Sequence, residues 1–266
     1  MLAADLRTLF RRRRVVALLV VLAAIPALLA VLVDISGGPS NGHGPTFLDQ
    51  VTHNGVFAAL VGLTVCIPVF LPLTVAVVAG DSIAGEASLG TLRYLLVRPA
   101  GRSRLLAVKA VSVAVFCMAA AMSVALGGLI AGAILFPLGR VTTLSATTIP
   151  LSAGVERTLL SALIVGAQLF GMAAIGMFIS TLTDAPVGAM AATVGLTILA
   201  AVLLSVSQVQ AIHPWLFPQN WLNFADLMRQ PVRWTGIVHD LLLQLAYVAV
   251  FGAATWARFT TKDVLA

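Results

Sequence analysis

Residues 80–109 read GDSIAGEASLGTLRYLLVRPAGRSRLLAVK and hold two acids and five bases, in a chain of 266 residues that is 60% hydrophobic and 10% charged. On either side the sequence is almost entirely Val, Leu, Ala, Ile, Gly and Phe. A soluble domain carries about 25% charged residues to clothe its core. This chain has mean hydropathy +1.03 and lacks such a skin, so lipid is the solvent its composition fits. A polar island between two apolar runs, each about 20 residues or longer, then reads as the exposed connection between two membrane-crossing helices.

Working outward from the island, six runs have the length a bilayer demands: 15–33, 56–80, 106–136, 157–181, 186–210 and 237–257. The fourth and fifth are separated only by STLTDAPV, with Asp184 and Pro186, which reads as a tight turn between two spans. The expectation is an all-α integral membrane protein with six transmembrane helices, forming one transmembrane domain over 1–266 without an internal repeat. The first run, Val15 to Val33, is long for a signal-peptide core and lacks a small-residue cleavage pattern. Cys66 and Cys117 lie inside apolar runs and read as packing residues.

The net charge is +6. The bases flank oily runs instead of forming a basic face interleaved with stacking aromatics, which points to anionic headgroups and away from nucleic acid. Their distribution sets the orientation. With the N-terminus in the cytoplasm, the inner segments hold Arg7, Arg11, Arg12, Arg13, Arg14, Arg93, Arg98, Arg102, Arg104, Lys109, Arg258 and Lys262, and the outer segments hold Arg140, Arg157, Arg229 and Arg233. The ratio is twelve to four, whereas the ten acids divide five and five. Because Lys and Arg set topology and acids contribute little, both termini are expected in the cytoplasm.

The head, MLAADLRTLFRRRR, places Leu2, Leu6, Leu9 and Phe10 at helical spacing. It reads either as a helix on the inner leaflet or as a plain positive anchor. The first outer loop, rich in Gly, Pro, Ser and Asn, reads as irregular. Its His43, Asp49 and His53 match no compact ligand pattern, so no metal is expected. The last outer loop, HPWLFPQNWLNFADLMRQPVRW, repeats Asn220, Asn223, Asp226 and Arg229 every three residues. A short amphipathic outer helix is expected there before span six, with Trp215, Trp221 and Trp234 as interfacial aromatics.

Within the spans, Pro68 and Pro72 should bend or loosen the second, as a moving joint or as a static kink. Gly128 and Gly132 form a small-xxx-small pair that permits close helix contact, within the chain or between copies. Gln168 could line a pathway or bond a neighbouring helix. No acid or base stands at mid-span, which weakens a transporter driven by its own coupling ion. There is no GxxxxGK[ST], HExxH or GxSxG motif, so neither a nucleotide site nor a catalytic centre is expected in this chain.

The island itself, residues 81–105, is too short for a domain. Leu89, Leu92 and Leu96 recur at i, i+3 and i+7, with Glu86 and Arg93 on another face. Pro99, Ala100 and Gly101 make a turn, after which Ser103 can cap the next helix. Such a helix can rest on lipid or seat in the groove of a soluble partner, and periodicity alone leaves both open.

GEASLGTLRYLLVRPAGRSRLLAVK resembles the motif of ABC transporter permeases of the second, exporter type, the ABC-2 permeases. The matching residues are Glu86, Gly90, Thr91, Leu92, Arg93, Leu95, Leu96, Pro99, Arg102 and Lys109. The motif covers about a tenth of the chain, and the remaining likeness is one of layout. The resemblance implies that the island is a cytoplasmic coupling helix inserting into a separate ABC ATPase subunit, which would hold ATP and Mg. No cofactor would be bound by this chain. It further implies a second permease copy, identical or related, and a multi-pass location in a bacterial plasma membrane. A stand-alone secondary transporter or channel, and a polytopic membrane enzyme or scaffold, are the competing expectations.

Overall fold

The computed structural model describes residues 1–36, 47–88 and 101–261. The described chain is predominantly helical, and six of its helices are long and apolar enough to cross a membrane. They are Arg13–Ser36, Phe70–Ser88, Ser103–Leu135, Leu151–Leu182, Pro186–Ser205 and Trp234–Thr261. In chain order the elements are α1 (Leu2–Arg11), α2 (Arg13–Ser36), α3 (Leu48–Val51), α4 (Val56–Cys66), α5 (Phe70–Ser88) and α6 (Arg102–Leu135). There follow a two-stranded antiparallel ladder, β1 (Val141–Thr142) with β2 (Thr148–Ile149), and α7 (Leu151–Gln168), α8 (Phe170–Leu182) and α9 (Pro186–Ser205). Two 3₁₀ segments, Ser207–Trp215 and Trp221–Met228, precede α10 (Trp234–Thr261).

Two spans that read as continuous in the sequence are each built from two helices. The second is interrupted at Ile67–Val69, where Pro68 sits, and Pro72 falls in the first turn of α5. A proline in a first turn forfeits only an N–H that has no helical partner, so Pro72 is accommodated and Pro68 marks the break. The fourth span is interrupted at Leu169, directly after Gln168. The turn at 183–185 forms where expected, with Pro186 in the first turn of α9. The third span begins at Arg102, with Gly101 at its cap position, so Ser103 is not the cap. Its hydroxyl instead accepts a hydrogen bond from Trp256 Nε1 at 2.9 Å.

α6 is the axis of the bundle, in contact with α1, α2, α4, α5, α7, α8 and α10. Small residues make this possible. A Cβ on Gly127 would overlap the backbone of Ala23 on α2, one on Gly128 would overlap Ala59 on α4, and one on Gly132 would overlap the Gly55 carbonyl. Gly128 and Gly132 are thus spent on helix packing within the chain. Phe57, Leu60, Leu63, Phe116 and Met172 are fully buried around this axis, and Cys66 and Cys117 lie buried among them. The outer surface is apolar as well: Leu28, Leu32, Ile130, Ile198, Leu242 and Leu245 are all exposed. A belt of exposed aliphatic side chains around a buried core is the inside-and-out apolarity of a bundle solvated by lipid.

The helices alternate so that one end of the bundle gathers α1, the end of α5, the start of α6 and the end of α10. Arg12 bonds Asp81, Asp5 bonds Lys109, and Trp256 bonds Ser103 there. The other end carries the β-ladder and the second 3₁₀ segment. That segment departs from the expected amphipathic surface helix. Trp221, Phe224, Leu227 and Met228 are buried against α7 and α10, so Trp221 is a core residue, while Trp215 and Trp234 are exposed. Arg157 Nη1 donates to the carbonyls of Leu227 and Arg229, at 3.2 Å each, and ties the segment down. The polar period of three was the signal: at three residues per turn, Asn220, Asn223, Asp226 and Arg229 form one ridge of a 3₁₀ helix.

Candidate functional site

The two flanks of the polar island meet at the end of the bundle that holds the N-terminus. α5 continues its apolar span through Asp81 and Glu86 to Ser88, and α6 returns with Lys109 about two turns and Ser112 about three turns in. Glu86 Oε1 and Lys109 Nζ form an ion pair. The motif's acidic residue and its lysine, far apart in sequence, are therefore partners.

A third group completes this junction. Lys109 Nζ also donates to Asp5 Oδ1 at 2.7 Å, and Ser112 Oγ donates to Asp5 Oδ2 at 2.6 Å. Asp5 stands in the first turn of α1, where the helix dipole favours an acid. Beside this cluster Arg12 Nη1 donates to Asp81 Oδ2 at 2.7 Å. α1 is amphipathic as its spacing predicts, with Leu9 and Phe10 packed on the core, but its acid Asp5 also faces inward, and Arg12 just past its end reaches Asp81. It docks on α2 and α6 as a strut.

Lys109, Asp5 and Glu86 have side chains only 14%, 20% and 15% exposed. Ion pairs so shielded are less screened than surface ones, and removing one member leaves its partners facing each other. Between α1, α2, α5 and α6 lies a cavity of about 320 Å³, polar where Asp5, Arg12, Asp81 and Lys109 line it and apolar along Leu18 and Val78.

α5 is opened just before it enters this cluster. Ser180 Oγ donates to the Gly80 carbonyl at 2.7 Å and accepts from the N–H groups of Ile83 and Ala84, at 3.2 and 2.9 Å. The hydroxyl from α8 thus stands between a carbonyl and the N–H that would ordinarily bond it, an insertion of the kind that bends helices. The island's first flank is accordingly joined to α8 as well as to α1 and α6.

Of the motif residues, Gly90, Thr91, Leu92, Arg93, Leu95, Leu96 and Pro99 lie outside the described residues. Arg102 opens α6, and Glu86 faces Lys109. His43 also lies outside the described residues. Gln168 is buried at the end of α7, with Nε2 3.5 Å from the Asn220 carbonyl, and is not part of this site.

Sequence reasoning missed Asp5, Asp81 and Ser112 as partners of the motif. The available signal was an acid set among arginines in the head, with a base three residues before Ser112. It also passed over Asp240. That residue is fully buried in α10, together with Gln244 one turn on. An acid and an amide at i and i+4 on one face of the sixth span would have singled it out.

A protein-family model described as "Protein of unknown function (DUF2705)" matches residues 19–265. Comparison with curated proteins finds no match.

Proposed function

We propose that this chain, which belongs to the DUF2705 family, is the membrane-spanning permease subunit of an ATP-driven exporter of the ABC-2 type. The family description names no function, so the reading rests on the chain's own residues. The observation that carries it is the island: Glu86, Gly90, Thr91, Leu92, Arg93, Leu96, Pro99 and Arg102 in the spacing of a coupling motif, between two spans of a chain with no nucleotide-binding loop.

The geometry supports this reading by giving the segment a braced base. A lever that transmits force must be rooted in something stiff. Here Glu86 on one flank and Lys109 on the other are locked together and to Asp5 of α1. Displacement of residues 89–101 by a partner would pull on α5 and α6 jointly, and through Ser180 on α8. Twelve of the sixteen bases fall on the side that carries this segment, and that side is the cytoplasmic one in our assignment. Both termini lie there, in a bacterial plasma membrane. The ATPase subunit supplies ATP, Mg and hydrolysis, and a second permease copy completes the pathway.

The test is recovery of an ATPase. The tagged chain, isolated from its native membrane in mild detergent, should bring down a soluble subunit with Walker motifs. Arg93→Glu should reduce that recovery about tenfold or more while insertion is unchanged, since a reversed charge at a docking face costs several kcal/mol. Recovery unaltered by Arg93→Glu would overturn the assignment of the docking face. Glu86→Lys is the less clean probe, because it sets a cation against Lys109 inside the chain.

A second reading, a stand-alone secondary transporter, gains from one observation, the buried Asp240 in the sixth apolar helix. Transport that survives ATP depletion and collapses with an ion gradient would favour it.

A further inference from the structure

The cavity of about 320 Å³ between α1, α2, α5 and α6 has two kinds of wall. One is polar and carries Asp5, Arg12, Arg14, Asp81, Glu86 and Lys109. The other is apolar and runs along Leu18 of α2 and Val77 and Val78 of α5. The apolar wall leads outward to the surface of the bundle. Leu73, one turn from Val77, and Val21, one turn from Leu18, are both exposed. The polar wall lies where α2 begins, at Arg13, and so at the end of a membrane-crossing helix, which is the depth of lipid headgroups.

Hydrogen-bonding capacity in the polar wall is unevenly spent. Lys109 Nζ donates to Asp5 Oδ1 at 2.7 Å and pairs with Glu86, and Arg12 Nη1 donates to Asp81 Oδ2 at 2.7 Å. Each carboxylate in the wall therefore has a cation on it. The hydroxyls of Thr8 and Ser82 donate to carbonyls one turn back, those of Ala4 and Ala79, at 2.9 and 2.6 Å. The donors left over belong to the arginines. A guanidinium carries five N–H groups, and Arg12 commits only Nη1 to Asp81. Arg14 forms no ion pair among the described residues, and neither do Arg7, Arg11 and Arg13 around it in the head. The acids are answered and the arginines are not, so the wall is short of an acceptor with negative charge.

We infer that this cavity seats one anionic phospholipid, with its phosphate on Arg12 and Arg14 and one acyl chain along Leu18, Val77 and Val78. A phosphate diester only accepts hydrogen bonds, and planar guanidinium groups are the donors best matched to it. Enclosed ligand sites span about 300–1,000 Å³. This cavity is at the small end of that range, so it holds the glycerol phosphate and the upper part of one chain, and the rest of the lipid lies on the exposed surface at Val21 and Leu73. The uncompensated arginines of the head select net negative charge over a phosphate cancelled by its own choline. A lipid held there touches α1, α2 and α5 together, and so adds a fourth party to the junction at the base of the island. The inference goes beyond the exporter reading and does not rest on it.

The experiment is thermal unfolding of the purified full-length chain in detergent, titrated with phosphatidylglycerol, with phosphatidylcholine of the same chains, or with inorganic phosphate at matched ionic strength. Phosphatidylglycerol should raise the midpoint, and the rise should saturate with concentration as mass action requires. Arg14→Gln should raise the half-saturating concentration about tenfold or more, the scale of one charged hydrogen bond. Arg13→Gln removes the same charge from the adjacent residue, which does not line the cavity, and should leave that concentration nearly unchanged. Equal effects of the two variants would overturn the seat, leaving only the general attraction of a basic head for an anionic surface. Inorganic phosphate as effective as the lipid would overturn the acyl-chain assignment, and phosphatidylcholine as effective as phosphatidylglycerol would overturn the charge selection. Position is read separately. Phosphatidylglycerol with a photoreactive group on one acyl chain should label α2 near Leu18 and α5 near Val77, and labelling spread evenly over the apolar surface would overturn the proposal. If Arg14→Gln does not fold, this labelling of the wild-type chain decides. The seat stands or falls separately from the exporter reading, which the ATPase recovery tests.

Discussion

Lys109 is the residue on which the inner junction turns. It joins Asp5 of α1 to Glu86 of α5. Lys109→Met should therefore cost about 2–3 kcal/mol, because two shielded carboxylates are left facing each other. The triple change Lys109→Met, Asp5→Asn, Glu86→Gln should recover most of that loss, since replacing a buried ionic group as a whole is often near neutral. Thermal unfolding in detergent reads both; equal destabilisation by the single and triple variants would show that packing, not charge, holds α1. Gly132 makes a second residue-scale case. Any side chain there meets the Gly55 backbone, which cannot rotate away as a flexible side chain would. Gly132→Leu should push α4 from α6 and cost about 3 kcal/mol or more, seen as loss of monodisperse protein on size exclusion. Gly139 is the matched control, because a Cβ there meets nothing.

At the scale of elements, the apolar runs were legible because length and hydropathy are the whole of the constraint a bilayer imposes. The joints were less so. Pro68 announced the break in the second span, but nothing in GAQLFGMA announced the one at Leu169, where tertiary packing around Gln168 decides. The outer segment was misread because aromatic content and a polar period suited a surface helix. Its period of three already belonged to a 3₁₀ helix, whose apolar side has a bundle to enter. The consequence can be measured. Trp221 is 3% exposed and packs at a tilt against Phe217, with ring centroids 5.6 Å apart. Trp221→Ala should cost about 3–5 kcal/mol as a core truncation, where an interfacial tryptophan would cost far less. Trp215→Ala, at an exposed position in the preceding 3₁₀ segment, should change the unfolding midpoint little. The inner junction was half legible for a related reason: a motif names the residues at one end of a contact, and only the fold supplies Asp5 and Ser180 at the other.

At the scale of the whole molecule, the count of bases and the path of the helices are independent, and they agree on one partition. Nine bases, Arg7, Arg11 to Arg14, Arg102, Arg104, Lys109 and Arg258, lie on described segments that the fold brings to a single end, together with both described ends of the chain. Four lie on segments toward the other, where Arg157 serves the fold by clamping the second 3₁₀ segment, not as a charge facing headgroups. The assignment of the first end to the cytoplasm can be tested with single cysteines, for which the chain is well suited. Cys66 and Cys117 are buried, and burial pins both behind the core, so a labelling background is low. Thr8→Cys and Ser88→Cys, both at exposed positions, should resist an impermeant maleimide in intact cells and react in inverted vesicles. Gly139→Cys, exposed beside the β-ladder, should do the reverse. Labelling of Ser88→Cys from outside intact cells would invert the orientation and remove the island from the reach of any cytoplasmic ATPase. Labelling of Thr8→Cys and Gly139→Cys from the same side would break the six-crossing arrangement itself, because those two positions are held at opposite ends of the bundle by its core.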